Sequence, residues 1–342
     1  MVRVALDLLG GDRAPDSVVD GALLALDADP DLEVLLVGPV ELAERLLTDR
    51  AGAGRCSLVP ASQVVGMDED PARAIRAKRD ATVRVAARLV RDGQADALVS
   101  IGSTGAALAA AIFTLGRLRG MSRPALAVVV PAKAGHLVFL DAGATTEASA
   151  ELLAQFALAG AAFAQVRLGL PRPRVGLLTN GEEAGKGDPL RKEAFAALAA
   201  LPIDFIGNVE GRDVPFGGRA DVIVTDGFTG NVLLKGLEGA AAMVTESLLE
   251  AFVATPERRA ATKELIPVMS EVAASLLPED LGGGMLLGVD GVVVVGHGSS
   301  SPRAVASCIR VAVQAAREGV VPGLKDALAV LAAERTQSEE PA

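Results

Sequence analysis

The chain has 342 residues, and half of them are apolar, so it is long enough to bury a large core. Its formal net charge of −10 argues against a nucleic-acid-binding protein and against a general attraction to anionic lipid, because a surface for polyanions needs positive potential. The two cysteines, Cys56 and Cys308, lie far apart without candidate metal ligands nearby. This pattern favours a cytoplasmic protein without disulfides or a metal site.

Short apolar runs alternate along the chain with longer Ala- and Leu-rich segments of helical period. The predicted strands, in chain order, are "VRVAL", "EVLLVG", "CSLVP", "ADALVS", "ALAVVV", "HLVFL", "RVGLLT", "DFIG", "ADVIVT" and "GVVVVG". Such alternation is typical of βαβ units around a parallel sheet. We therefore predict a three-layer α/β/α sandwich with a mostly parallel sheet, as one domain over residues 1–335 followed by a disordered tail at 336–342.

Glycine-rich turns follow six of these strands: "LDLLGGDRAP", "SIGSTGAAL", "LDAGATT", "TNGEEAGKG", "TDGFTGN" and "GHGSSS". Parallel sheets bind ligands at the carboxyl ends of their strands, so we expect all six turns to meet at one edge. Glycine allows close backbone approach, and the helix starts that follow offer free N–H groups for an anion. The predicted phosphate- or substrate-binding residues are Asp7, Gly10, Gly11, Asp12, Gly102, Ser103, Thr104, Gly105, Asp226, Gly227, Thr229, Gly230, Gly298 and Ser299.

The fourth turn, "TNGEEAGKGDP", nearly matches a nucleotide-binding P-loop. However, Gly181 and Gly185 enclose three residues instead of four, and Gly187 stands where the metal-binding hydroxyl should be. Lys186 is either a solvated side chain or a point charge for an oxyanion or phosphate, and we predict the second role.

His297 lies between two glycines after a strong predicted strand, which favours a site role, whereas His136 begins a strand and is predicted to be structural. Asn231 stands near the start of a helix, where its amide either caps the helix or donates to a ligand. Motifs for a covalent nucleophile or a catalytic metal are missing from the sequence, so a reaction that needs only positioning and charge stabilisation fits better.

Five arginines recur near helical spacing between residues 73 and 91: Arg73, Arg76, Arg84, Arg88 and Arg91. From spacing alone, they form either a solvated helix face or a local basic patch on an otherwise acidic chain.

Residues 2–321 resemble the bacterial phosphate acyltransferases of the PlsX type. The resemblance rests on "LGGDRAP", "SIGSTGA", "RLRGMSRPAL", "GEEAGKG", "FIGNVEGRDV", "ADVIVTDGFTGNVLLKGLEG" and "GHGSSS", which occur in the family's order. It implies transfer of a fatty acyl group from acyl carrier protein (ACP) to inorganic phosphate, giving acyl phosphate for phospholipid synthesis. It also implies a fold similar to phosphotransacetylases and to isocitrate and isopropylmalate dehydrogenases, and a homodimer that needs no cofactor.

Carried over by the resemblance, the family's catalytic positions fall on Lys186, Asn231 and His297, and the five arginines become candidates for docking the acidic ACP. Arg13 and Ser103 depart from the family's His and Asn at those positions, and Thr179 and Asn180 also depart from its pattern. We expect altered kinetics from these departures, and not a lost activity.

A segment near residues 240–282 carries apolar residues near helical spacing, namely Leu265, Ile266, Val268, Met269, Val272, Leu276 and Leu277. Core or dimer packing explains such a pattern, while the resemblance implies a protruding amphipathic tip with transient contact to the inner membrane surface.

Three rival functions stay open at this stage. They are a phosphotransacetylase-like enzyme that uses acyl-CoA, a β-decarboxylating dehydrogenase of similar topology, and a catalytically silent scaffold.

Overall fold

A computed structural model describes residues 1–276 and 282–338 of the chain. Leu277 and the tail residues 339–342 lie outside the described residues. The strands are β1 (Val2–Asp7), β2 (Leu32–Gly38), β3 (Cys56–Pro60), β4 (Ala97–Ser100), β5 (Ala125–Ala132), β6 (Gly135–Leu140), β7 (Arg174–Thr179), β8 (Asp204–Glu210), β9 (Val222–Val224), β10 (Gly284–Leu287) and β11 (Val292–Val295). The helices are α1 (Asp16–Ala28), α2 (Val40–Leu47), α3 (Pro71–Ala77), α4 (Thr82–Arg91), α5 (Thr104–Thr114), α6 (Ala150–Leu168), α7 (Pro189–Ala199), α8 (Asp213–Phe216), α9 (Gly227–Val253), α10 (Pro256–Thr262), α11 (Leu265–Leu276), α12 (Pro302–Arg317) and α13 (Val320–Ser338).

These strands form an eleven-stranded sheet in the order β3-β2-β1-β4-β11-β10-β5-β6-β9-β7-β8. The pairs β11–β10, β10–β5 and β5–β6 are antiparallel, and the other seven pairs are parallel. Three successive reversals make β6, β9, β7 and β8 run opposite to β1, β2, β3, β4 and β11. The sheet is therefore mostly parallel, as predicted, but its two halves point in opposite directions.

Helices cover both faces of the sheet. One face packs α1 against β2, α12 against β1, β4 and β11, and α6 against β6, β9 and β7. The other face packs α4 against β1 and β4 and α5 against β11. The predicted three-layer α/β/α architecture is confirmed. All ten predicted strands are present, and β10 is an additional short strand that the sequence pattern did not indicate.

The predicted arginine stripe does not lie on one helix. The chain leaves helical geometry after Ala77 and re-enters it at Thr82, so the five arginines divide between α3 and α4. Arg84 donates to the carbonyl oxygen of Ile75, and Arg88 donates to that of Arg79. These two hydrogen bonds connect α4 to the end of α3 and to the non-helical residues between the two helices. Arg73 and Arg76, in contrast, are exposed on α3.

Helices α10 and α11 both contact α9. Of the 27 residues of α9, Gly227 and Gly230 at its start are the buried ones, and apolar side chains such as Met243, Val244 and Leu248 are exposed. On α11, Leu265 and Val268 are more than half exposed, at 51% and 54%. In the part of the chain that the structure describes, no helix is both long and apolar enough to cross a membrane.

Candidate functional site

The six glycine-rich turns form two separate groups. Turns after β1, β4 and β11 make up one group, here called the Asp7 cluster (residues 7–13, 100–105 and 296–300). Turns after β6, β7 and β9 make up the other, the Lys186 cluster (residues 141–145, 179–191 and 225–231). The expectation that all six turns meet at one edge is wrong, because the strands that lead into the two groups run in opposite directions.

In the Asp7 cluster, three turns approach one another through their backbones. The N–H group of Asp12 donates to the carbonyl oxygen of Gly298, with a distance of 2.8 Å. Gly11 has a φ of +103°, and a Cβ there would lie 3.0 Å from Gly298 O and 3.1 Å from Ile101 O. Only glycine adopts this conformation in so little space, so Gly11 lets the three turns close together.

Asp7 ends β1 with its side chain buried beside Ser100 of β4. The Ser100 hydroxyl donates to Asp7 Oδ2 over 2.7 Å, while Oδ1 is buried without a hydrogen-bond partner among the described residues. Burial raises the pKa of Asp7, while the polar groups of Thr82, Ser100, Leu9 and Gly10 around its carboxyl act in the opposite direction.

A cavity of about 140 Å³ opens at this carboxylate. The residues that line it come from four segments of the chain: Asp7, Leu9, Gly10, Gly11 and Asp12; Val64, Val65, Gly66 and Met67; Thr82 and Val83; and Ser100, Gly102, Ser103 and Ala106. The lining thus combines two carboxylates with hydroxyl and apolar side chains. It includes neither Lys186, Asn231 nor His297.

His297 is exposed at the rim of the Asp7 cluster, where its ring is oriented by the next turn. Its Nδ1 lies 2.9 Å from Ser299 Oγ and accepts from the Ser299 N–H over 3.3 Å. An Nδ1 that accepts from the backbone leaves the Nε2 edge to face solvent or a ligand. The other histidine, His136, is exposed on β6.

The Ser103 hydroxyl caps α5 by accepting from the N–H of Ala106, so Thr104 and Gly105 form the first helical turn beside the cavity. Helix starts of this kind leave N–H groups free for an anion or a polar ligand.

The Lys186 cluster is centred on Arg191, which sequence reasoning missed. Arg191 is buried on α7, and its guanidinium pairs with Asp226, with Asp188, and with the Thr225 and Thr229 hydroxyls. Asp188 caps α7 and Asp226 caps α9. Arg191 therefore joins the starts of the two helices and fixes the Lys186 turn against the Asn231 turn.

Further side chains hold the turn that carries Lys186. The Asn180 amide oxygen accepts from the N–H of Gly187 over 3.0 Å, and the Asn208 amide donates to the carbonyl oxygen of Glu183 over 2.7 Å. Lys186 itself is exposed. Its ammonium group is therefore presented to solvent from an ordered turn, which suits an anionic ligand.

Asn231 lies in the second turn of α9 and does not cap it, since Asp226 is the cap. Its exposed side chain faces the turn after β6, where a Cβ on Gly143 would lie 3.4 Å from Asn231 Cβ. That turn is fixed by Asp141, a fully buried carboxylate that accepts four backbone N–H groups, from Leu126, Gly143, Ala144 and Thr145. Asn231 is thus free to donate to a ligand.

The structure brings the predicted site residues together in two places. Asp7, Gly10, Gly11, Asp12, Gly102, Ser103, Thr104, Gly105, His297, Gly298 and Ser299 lie in the Asp7 cluster. Lys186, Asp226, Gly227, Thr229, Gly230 and Asn231 lie in the Lys186 cluster. Asp141 could have been recognised from the sequence, because "LDAG" repeats the pattern of a strand followed by Asp that is seen at Asp7 and Asp226.

Comparisons with known proteins give the family. The profile of a family described as "Fatty acid synthesis protein" matches residues 2–322. A phosphate acyltransferase of Desulfitobacterium hafniense (strain Y51) is 42% identical over 328 residues, covering 96% of this chain and 98% of that protein. A phosphate acyltransferase of Acidobacterium capsulatum is 44% identical over 322 residues, covering 94% of this chain and 95% of that protein.

Solved structures share the fold at low sequence identity. A branched-chain phosphotransacylase from Enterococcus faecalis V583 superposes with a TM-score of 0.60 and 18% identity, covering 92% of this chain and 99% of that one. A phosphotransacetylase from Streptococcus pyogenes gives 0.60 and 19%, covering 93% and 94%. The near full-length match to curated relatives at more than 40% identity shows that this chain belongs to the phosphate acyltransferase family of fatty acid and phospholipid synthesis.

Proposed function

We propose that the protein transfers a fatty acyl group from acyl-ACP to inorganic phosphate and releases acyl phosphate and free ACP. The observation that carries the proposal is the Lys186 cluster, where Arg191 joins an exposed lysine turn to an asparagine that makes no helix cap. Membership of the phosphate acyltransferase family supports phosphate as the acceptor.

In the proposed reaction, a phosphate oxygen attacks the thioester carbonyl carbon, a C–O bond forms and the C–S bond breaks. The phosphate is already nucleophilic near neutral pH, so the protein supplies position and charge. Lys186 balances the charge of the bound phosphate, and the Asn231 amide donates to the oxyanion that develops on the carbonyl oxygen. The leaving thiolate takes a proton from solvent or from the acidic phosphate to give free ACP.

The N–H groups of Gly227, Thr229 and Gly230 at the start of α9 are already bonded to Thr145 O, Asp226 Oδ1 and Asp226 O. Asp226 and Thr229 accept from Arg191, so the helix start is fixed before substrate arrives. An Asn231 amide held on this fixed helix start needs little rearrangement during the reaction, which favours transition-state stabilisation. His297 belongs to the other cluster, at the opposite edge of the sheet, so we assign it no role in this reaction.

Substitution of Lys186 and Asn231 tests this proposal. We expect Asn231→Ala to lower the rate of acyl phosphate formation by about 10²–10³, the usual cost of losing one oxyanion donor. Lys186→Ala should mainly raise the KM for phosphate, because it removes the balancing charge. Lys192→Ala, an exposed lysine on α7, serves as the matched control. Wild-type turnover in both site variants would refute the assignment.

The donor is proposed to be acyl-ACP instead of acyl-CoA because exposed arginines on α3 offer an acidic carrier a local basic surface. The same assay decides between them: a higher kcat/KM with acetyl-CoA than with acyl-ACP would favour a phosphotransacetylase-like activity.

We further propose a homodimer with peripheral contact to the inner membrane surface. An α9 helix with exposed apolar side chains would be stabilised by a second copy, and exposed apolar residues of α11 suit a lipid interface. Sedimentation velocity at micromolar concentration tests the dimer.

A further inference from the structure

The last strand of the sheet, β8, contains a bulge opposite β7. Val175 pairs with Phe205 and Leu177 pairs with Asn208, so two steps along β7 correspond to three steps along β8. The chain passes through Gly207 with a φ of +90°, a conformation that favours glycine. Bulges change the direction of the side chains next to them and are frequent at sheet edges and beside active sites. The bulge therefore decides where the side chain of Asn208 points.

Asn208 is buried, with an exposed fraction of 1%, and its side chain makes one hydrogen bond among the described residues. Its Nδ2 donates to the carbonyl oxygen of Glu183 over 2.7 Å, whereas its Oδ1 is buried without a partner. A buried amide with one unpaired end is less favourable than an apolar side chain of similar size. Packing alone therefore does not account for an asparagine here, and its bond to Glu183 is the distinctive contact.

This bond acts directly on the turn that carries Lys186. The carbonyl oxygen of Glu183 accepts from Asn208 Nδ2 and also from the backbone N–H of Lys186, over 2.9 Å. The stem of Lys186 then passes over Gly181, where a Cβ would lie 2.8 Å from Lys186 Cγ. Because one acceptor joins the buried amide to the backbone of Lys186, Asn208 fixes the point from which the lysine side chain leaves the turn.

Arg219 makes a second connection between β8 and the same turn. Its guanidinium donates to the carbonyl oxygen of Asn208 over 3.3 Å and pairs with Glu182 Oε1 over 2.5 Å. The side chains of Arg219 and Glu182 are 35% and 43% exposed, and exposed ion pairs contribute little. The buried amide of Asn208 is therefore the stronger of the two connections.

We propose that Asn208 is a positioning residue for phosphate, which it affects through Lys186 by holding the lysine turn in its binding conformation. A turn that is ordered before the ligand arrives loses less conformational freedom on binding, so phosphate binds more tightly. This inference rests on the proposed function in one respect, that Lys186 binds phosphate. It adds a buried residue on β8 that acts without touching the substrate.

Titration calorimetry with inorganic phosphate, without an acyl donor, tests the inference. Asn208→Leu keeps the number of side-chain atoms and removes the NH₂ donor, while the Glu183 carbonyl oxygen retains the bond from Lys186. We expect the Kd for phosphate to rise by about three- to tenfold, the net worth of one hydrogen bond. Urea unfolding should show little change in stability, because no acceptor loses its last partner. Asn208→Ala removes the same donor without the branched bulk of leucine and should raise the Kd likewise.

Gln165→Leu is the matched control. Gln165 also donates from its side-chain amide to a carbonyl oxygen, that of Pro171, over 3.1 Å. It lies near the end of α6, a helix of 19 residues whose other end follows the turn at 141–145. The control therefore makes the same chemical change away from the Lys186 cluster, and the Kd for phosphate should stay at the wild-type value.

A double-mutant cycle separates positioning from a general effect on the fold. In a Lys186→Ala background, Asn208→Leu should not raise the Kd for phosphate further, because the group that it positions is gone. In steady-state kinetics, Asn208→Leu alone should raise the KM for phosphate and leave kcat and the KM for acyl-ACP unchanged.

The inference is refuted if Lys186→Ala weakens phosphate binding while Asn208→Leu and Asn208→Ala bind phosphate normally. It is also refuted if Asn208→Leu raises the Kd equally with and without Lys186. Phosphate binding that depends on Asn208 and Lys186, in a protein that forms no acyl phosphate, would instead refute the proposed function and leave the positioning role standing.

Discussion

Gly230 shows how closely two turns of the Lys186 cluster approach each other. A Cβ at this position would overlap the carbonyl oxygen of Asp141, whose backbone is fixed by its own side chain. We expect Gly230→Ala to lower the free energy of unfolding by roughly 3 kcal/mol, since overpacking against rigid backbone cannot relax. Urea unfolding measures the change.

Gly236→Ala is the control in the same helix, because a Cβ there meets nothing within 4 Å. Alanine has the higher helix propensity, so this variant should be neutral or more stable by about 0.5–1 kcal/mol. If both variants lost the same unfolding free energy, the overlap with the Asp141 carbonyl oxygen would not be the cause of the loss in Gly230→Ala.

Arg191 stabilises the buried carboxylate of Asp226. Although burial acts to raise it, the pKa of Asp226 is held below its usual range by hydrogen bonds from Thr229 and by the charge of Arg191. Arg191→Met removes the partner and leaves a buried charge, which should cost about 3–5 kcal/mol of unfolding free energy at pH 7. Arg212→Met, an exposed control, should cost less than about 1 kcal/mol.

The pH dependence follows from the direction of the shift. Because the folded pKa of Asp226 is lowered in the wild type, its contribution to stability is present above the unfolded pKa, about 3.9, and is lost as pH falls through the folded pKa. Without Arg191 the pKa should rise, so protonation relieves the buried charge at mildly acidic pH. Urea unfolding should therefore show a smaller loss in Arg191→Met at pH 5 than at pH 7. An equal loss of unfolding free energy at pH 5 and pH 7 would contradict the proposed ion pair between Arg191 and Asp226.

The sequence pattern located segments but not their partners. Lys186 stands in a glycine-rich turn as expected, whereas Gly230 and Asn231 lie in the first residues of α9, and their roles stay predictions. It missed Arg191 because that side chain acts across 35 residues, on Asp226, and its position five residues after Lys186 resembles any charged residue on a helix. Long-range partners of this kind depend on the tertiary fold, which periodicity does not encode.

At the scale of elements, α3 combines a short helix with an exposed basic face. Arg76 lies over the ring of Phe113 with 4.6 Å from Cζ to the ring centroid, and Arg73 is exposed one turn earlier. Arg73→Glu with Arg76→Glu should raise the KM for acyl-ACP by about tenfold and leave the KM for phosphate unchanged, because like charges would then face an acidic carrier. Steady-state kinetics measures both constants.

Arg45→Glu, an exposed arginine on α2, is the control for this charge reversal. Added salt should weaken the wild-type affinity for acyl-ACP more than that for phosphate, since exposed charges are screened over roughly 10 Å at 0.1 M. An unchanged KM for acyl-ACP in the double variant would exclude α3 as the docking surface.

Strand direction was the element property that the sequence did not reveal. The ten predicted strands are correct, yet the missed strand β10 and the antiparallel pairs around it reverse the second half of the sheet. Strand Gly284–Leu287 has four residues next to a run of glycines, and it pairs with the following strand β11 and with β5, which is far away in sequence. The pairing with β5 is long-range, so its effect on the direction of the second half of the sheet does not follow from local pattern.

At the scale of the whole molecule, exposed apolar side chains run from Phe228 and Val232, beside the Lys186 cluster, along helices α9 to α11. The body of the protein covers its apolar side chains with two helix layers, whereas α11 leaves Leu265 and Val268 more than half exposed. An acyl phosphate with a long fatty chain is poorly soluble in water, so an enzyme that binds a lipid surface could pass it on directly. The exposed apolar residues of α11 provide such a contact, whereas the net charge of −10 opposes a purely electrostatic one.

Liposome flotation tests this contact. We expect Leu265→Glu with Val268→Glu to abolish co-flotation with vesicles of mixed zwitterionic and anionic lipid, because each buried side chain contributes about 1.5–3 kcal/mol of transfer free energy. Acyl phosphate formation from acyl-ACP in solution should stay unchanged, since α11 lies in neither cluster. Leu24→Glu replaces a similarly exposed apolar residue on α1 and should float like the wild type. Unchanged flotation of the double variant would exclude α11 as a lipid-binding surface and would favour protein–protein contact as the role of these apolar residues.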